Sequence, residues 1–187
     1  MRHLLAAAAI CLVSLPVAAR SVSGVDLPER VRARDDTEPV LNGAGVRTKF
    51  FFDIYVGALY LPAAGQELER IRQTDQPARV DMHFEYSEVS HDKLADAWRE
   101  GFRANNAPEV YDRVEDRLAR FVDLFPTAHE NDVYVIDYLP GHGTEVRING
   151  EPVGTIAGAE FFHALLNVWL GPDPADDDLK DGMLGRR

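Results

Sequence analysis

Residues Leu41–Leu61 read LNGAGVRTKFFFDIYVGALYL, and the fold turns on how this stretch is read. Val46, Phe50, Phe52, Ile54, Val56, Ala58 and Tyr60 alternate as one buried face of a sheet would. The other parity mixes Arg47, Lys49, Asp53 and Tyr55 with Phe51, Leu59 and Leu61. An always-charged guanidinium thus follows two glycines, Gly43 and Gly45, which admit unusual backbone angles, and precedes three consecutive phenylalanines. Desolvated beside aromatic rings, an arginine needs an anionic partner, and its planar fork fits a carboxylate bidentately. That partner is either a bound ligand or a carboxylate of the chain itself at the rim of the fold. Along one straight strand Arg47 and Tyr55 would share a face but stand roughly 27 Å apart, at about 3.4 Å per residue. Only a bulge or a reversal near Phe50–Phe52 would bring them together, and no residue there favours a turn.

Outward from this stretch, the periods are easier to read. GQELERIRQ suggests a short helix after Pro62, and ARVDMHFEY alternates strictly, with Val80, Met82, Phe84 and Tyr86 on one face. Ser90 is a candidate N-cap for a helix in which Leu94, Trp98 and Phe102 fall at i, i+4, i+8. A second helix carries Val110, Val114, Leu118, Phe121 and Phe125 until Pro126 stops it. NDVYVIDYLP is apolar on both parities, as a strand covered on both faces is. Glycines around His142 turn the chain, and Asn149-Gly150 marks a hairpin. AGAEFFHALLNVWLG is a helix apolar almost all round, and Asp173-Pro174 is expected to cap a last short one. The order of strands, helix pair, strands and helix predicts an α+β domain with helices on one face of an antiparallel sheet.

The chain has 187 residues, enough for one domain. Arg2 and His3 precede a short apolar run ending in Val17-Ala18-Ala19, as a cleaved secretory signal does. Residues 1–19 are read as that signal, 20–37 as a polar leader ordered only if something pairs with it, and 38–187 as the domain. The expected location is therefore outside the cytoplasm, in the periplasm. The single cysteine, Cys11, lies within the signal, so the exported chain can use neither disulfide nor thiolate. A net charge of −11 argues against nucleic acid and against anionic membrane surfaces. No stable membrane insertion is expected once the signal is removed.

GAGVR, the aromatic strand ending in GALYL, and the late LLNVWLGPDPADDDLK resemble the chalcone isomerase-like family. The resemblance spans nearly the whole exported chain and implies an open-faced β-sandwich, a large antiparallel sheet with a layer of helices on one face. It also implies a ligand cleft. The family's isomerases close a flavanone ring on an enone, with an arginine holding the oxyanion and hydroxyl and amide side chains positioning the ketone and a water. Its non-catalytic relatives bind fatty acids through the arginine and a strand tyrosine. By position Arg47 matches the arginine, and Tyr55 falls where the fatty-acid binders carry tyrosine. Tyr111 lies near the isomerases' tyrosine and Arg117 near their asparagine. The late hydroxyl position falls on Val168, which has none. The carboxylate pair is present, whereas the isomerase set is mostly missing.

Three functions remain open on the sequence: an exported, non-catalytic binder of a fatty acid or similar apolar carboxylate, an enone-cyclising isomerase with Arg47 as its oxyanion holder, and a protein-interaction module without a small ligand. Arg47, Tyr55, Tyr111 and Asn167 are the candidate ligand-binding residues, and no cofactor is expected. Glu160, His163 and Asn167 form a polar stripe at i, i+3, i+7 that either faces solvent or walls a cleft. The histidines show no ligand spacing such as HExxH and are read as surface residues, with His142 between glycines the least easily dismissed. The acidic run before Leu179 lacks the alternation and central glycine of a calcium loop, so no metal site is expected.

Overall fold

The computed structural model describes residues 19–33, 36–65 and 67–186, so the signal reading falls outside it except for Ala19. The decisive stretch is a hairpin rather than one strand. β1 (Ala19–Val22) and β2 (Val25–Pro28) come first, followed by β3 (Val40–Lys49) and β4 (Phe52–Leu61). The chain continues through α1 (Leu68–Gln73), β5 (Ala78–Phe84), β6 (Glu88–Val89), α2 (His91–Asn105) and α3 (Pro108–Val122). It ends with β7 (Ala128–His129), β8 (Val133–Leu139), β9 (Gly143–Ile148), β10 (Glu151–Ile156), α4 (Ala159–Leu170) and α5 (Asp177–Met183). Six strands form one antiparallel sheet in the order β10-β9-β8-β5-β4-β3. The α+β, open-faced reading therefore holds.

The inner face of the sheet packs on α2, α3 and α4. Tyr55, Leu59, Val80, Met82, Phe84, Tyr134 and Ile136 meet Leu94, Trp98, Phe102, Val114, Phe121, Phe161 and Leu165 in one buried cluster. Of the apolar positions read at helical spacing, Leu94, Trp98 and Phe102 on α2 and Val114, Leu118 and Phe121 on α3 are buried; Val110 is only partly so, and Phe125 is buried just beyond the end of α3. Ser90 caps α2, its Oγ accepting from Lys93 N. The cap of α5 is Asp176, not Asp173-Pro174: its Oδ1 accepts from Leu179 N at 2.8 Å.

Two findings depart from the sequence reading. The parity of Val56, Ala58 and Tyr60 faces away from the helices, and it is buried all the same, against Leu27 and Ala44. Most of the segment read as a leader supplies this second layer. β1 and β2 pair with each other, and Leu41 N donates to Glu29 O as the chain enters β3. The other departure is that Phe50, Phe51 and Phe52 are not core, being 84%, 95% and 55% exposed.

The outer face carries a polar cluster under partial cover. Arg79 donates bidentately to Asp137, at 2.6 and 2.7 Å. Asp81, only 6% exposed, lies 3.9 Å from Arg79 Nε, yet its Oδ1 has no hydrogen-bond partner among the described residues. Burial outweighs the nearby guanidinium, whose fork is committed to Asp137, and lifts the Asp81 carboxyl to about 7. A carboxyl held above its unfolded value of about 3.9 binds its proton more tightly in the fold, so this group favours folding most below that value. Its contribution then declines as pH rises toward about 7. Asp81→Asn is expected to flatten that decline and to raise stability at pH 8 by on the order of 2 kcal/mol. Denaturant titrations of both proteins at acid and alkaline pH check this, and parallel pH profiles would contradict it.

Candidate functional site

The reversal between β3 and β4 is a two-residue turn, Phe50-Phe51, closed by the Lys49–Phe52 pair. Phe50 has φ +60°, at a hairpin position that glycine usually fills. This turn sets Arg47 directly across from Tyr55 in the ladder. The two residues separated in the straight-strand reading are neighbours, with the Arg47 guanidinium carbon 5.6 Å from the Tyr55 ring centroid. The pairing register shifts between Arg47 and Thr48, where Thr48 N donates to Asp176 Oδ2 at 3.0 Å. A bulge of this kind re-aims a side chain. Asp176 thus joins two jobs, capping α5 and holding β3 beside the arginine.

Arg47 lines a cleft of ≈ 650 Å³ between the β3–β4 hairpin and α2. Phe50, Phe52 and Ile54 form one wall, and Ala97, Gly101 and Ala104 form the other. The small residues on α2 fall at i, i+4, i+7, so one face of that helix is a trough instead of a ridge. Val168 and Ala175 line the cleft as well. Lys49 and Lys93 bring further positive charge, while Glu88, Asp96, Glu100 and Asp173 make its margin acidic. The volume lies within the range of small-molecule sites, about 300–1,000 Å³.

Behind the arginine is a second, small cavity of ≈ 20 Å³, lined by Arg47, Tyr55, Trp98 and Val168 among others. That is room for about one water-sized group. The Tyr55 hydroxyl is buried here and accepts from Trp169 Nε1 at 3.0 Å. Burial is the main reason its phenol titrates above the usual range, only partly offset by Arg47. Two donors beside it are unsatisfied. Arg47 Nε and Trp98 Nε1 are both buried without a hydrogen-bond partner among the described residues. No Asp or Glu of the described residues lies within ion-pair distance of Arg47. The inner part of the site therefore presents the Arg47 guanidinium and the Trp98 indole N–H with donor capacity unused by the described residues.

The sequence profile of the chalcone isomerase-like family matches residues 19–185. The chain belongs to that family. Among curated proteins none matches. Among solved structures, the Arabidopsis thaliana fatty-acid binding protein AtFAP1 is similar at 17% identity, with a TM-score of 0.69 over 90% of this chain and 97% of that one. At that identity the likeness concerns the fold.

In this chalcone isomerase-like chain only part of the expected residue set meets. Arg47 and Tyr55 converge, and Val168 lines the cleft where a hydroxyl was sought. Tyr111 is not in the lining: its ring sits under Arg103, 5.1 Å from the guanidinium carbon, and packs partly buried against the core. Asn167 is also elsewhere, its Nδ2 donating to Asn106 Oδ1 at 2.9 Å between α4 and α2. Arg117 and Arg113 both bind Glu160, so that part of the stripe on α4 is a surface ion-pair network. His129 and His142 are exposed, but His83, His91 and His163 are partly buried, departing from the surface reading. The residues missed from sequence are Trp98, Trp169 and Lys93. Trp98 and Trp169 carry the apolar period of their helices, which marks them as core and conceals the indole N–H. Lys93 had only the trough of small residues below it as a signal.

Proposed function

We propose that this chain is an exported, non-catalytic binding protein for a fatty acid or a similar apolar carboxylate. The observation that carries the reading is the buried Nε of Arg47, without a hydrogen-bond partner among the described residues, in the lining of a cleft that Phe50, Phe52, Ile54, Ala97 and Val168 also line. A ligand carboxylate there would accept from the guanidinium as a charge-assisted pair, and its oxygens could reach the Trp98 indole or the small cavity behind. An alkyl chain would run along Ile54, Ala97 and Gly101 toward Phe50 and Phe52. The similar Arabidopsis protein is itself described as a fatty-acid binding protein, which agrees with this reading. Val168, supplying no hydroxyl, speaks against an isomerase arrangement. Export to the periplasm rests on the apolar segment ending at Ala19.

Native mass spectrometry of protein extracted mildly from its own compartment is expected to show a bound mass in the range of long-chain fatty acids. After delipidation, a fluorescent fatty acid should be taken up with one-to-one stoichiometry. Protein that arrives empty and takes up no fatty acid at micromolar concentration would overturn the proposal.

A further inference from the structure

Phe51 lies outside the ligand cleft, yet it is 95% exposed, and Phe50 beside it is 84% exposed. Exposure of one large apolar residue is ordinary, but three in a row on a protruding turn are not. The tip carries a second cost. Phe50 occupies the left-handed region at φ +60°, which is unfavourable for a bulky side chain and which a glycine there would relieve. Two independent penalties on one turn point to a role outside the folded domain. Phe50 and Phe52 also line the outer end of the cleft, so the apolar surface is continuous from the tip to the interior.

From this geometry we infer that the Lys49–Asp53 tip docks shallowly into a zwitterionic phospholipid bilayer, placing the cleft mouth against the lipid. The size of the patch favours a bilayer over a protein partner. Weighted by exposures of 84%, 95% and 55%, three aromatic side chains present on the order of 500 Å². A stable protein partner or a second copy needs about 800 Å² on each side, over a flatter surface. A projecting turn instead suits a deformable medium, in which aromatic rings settle at headgroup level. Charge selects the class of lipid. The tip itself is balanced, Lys49 against Asp53, and Asp53 accepts from Thr48 Oγ1 at 3.0 Å. A net charge of −11 repels anionic surfaces, so the attraction has to be apolar. The inference goes beyond the proposed ligand, since docking does not require the cleft to be filled.

The test is sedimentation of the full-length exported protein with phosphatidylcholine vesicles, in low and in high salt. Wild type is expected to partition onto the vesicles with little dependence on salt. Phe51→Ser should weaken partitioning roughly tenfold, the loss of one aromatic side chain from the lipid. Phe51→Trp should retain it. Because Phe51 does not line the cleft, Phe51→Ser should still take up fatty acid normally from vesicle-free solution, which separates docking from ligand binding. Failure of wild type to bind vesicles overturns the inference, as does equal binding by wild type and Phe51→Ser. So does a concentration-dependent dimer that Phe51→Ser converts to monomer, which would make the tip a contact between copies.

Discussion

Arg47→Ala is expected to weaken fatty-acid binding at least about 30-fold while leaving the melting temperature of the ligand-free protein unchanged or slightly higher. Truncating one partner of a buried, hydrogen-bonded charge pair costs about 2–5 kcal/mol, and 1.4 kcal/mol is tenfold in affinity. The ligand-free fold behaves differently because no carboxylate among the described residues pairs with Arg47. Its Nε is buried without a hydrogen-bond partner among those residues, a desolvation cost that alanine removes. What alanine loses in return is the contact with the buried Tyr55 ring, worth about 1–2 kcal/mol, so that gain and loss roughly offset. A structural ion-pair arginine would give the reverse pattern. Fatty-acid titration and a thermal melt of delipidated protein, on wild type and variant, read the two quantities separately. A large fall in melting temperature with unchanged affinity refutes the anchor.

Gly43→Ala should destabilise the fold by about 3 kcal/mol or more, at or beyond the usual cost of overpacking. A Cβ on Gly43 would lie 2.2 Å from Gly182 O, 2.7 Å from Gly185 N and 2.9 Å from Met183 O. All three are backbone atoms, so no side chain can rotate away. Gly182 meets the same limit from the other side, at 2.5 Å from Ala44 O. Bare backbone on both elements is what lets α5 lie against β3. The sequence reading gave Gly43 and Gly45 unusual backbone angles, but neither has positive φ. Their role is close approach. Prying α5 away also moves Asp176 from Thr48 N, so ligand affinity should fall together with stability. Urea titration gives the first quantity, and faster amide exchange over residues 179–185 would show the release of α5. A loss under about 0.5 kcal/mol, the scale of an ordinary surface change, sinks the argument.

Whatever depends on local period was open to reading. Leu94, Trp98 and Phe102 place a face of α2 in the core at any packing angle, because helical geometry alone puts them on one side. The alternation of Val80, Met82 and Phe84 orients β5 in the same way. The family resemblance pointed to Arg47, Tyr55 and the valine at position 168, and all three gather around the cleft or the small cavity behind it. Tyr111 was placed by the resemblance, near the isomerases' tyrosine, and Asn167 by the polar stripe on α4; on a helix a small error in position rotates a side chain off the wall. In the structure they serve α3 and the α2–α4 contact instead.

By itself the sequence determined the α+β composition, the helices and their buried faces, and a lone arginine that needed an anion. It could not determine that Phe50 and Phe51 make a turn, since neither residue favours one. Only the pairing of β3 with β4 along ten residues each outweighs the positive φ at Phe50. That reversal turns a separation of roughly 27 Å along an extended chain into cross-strand contact, and it creates the site. Likewise only the packed structure decides that the parity of Val56, Ala58 and Tyr60 faces the β1–β2 hairpin. Period identifies a buried face, but long-range contacts choose what covers it.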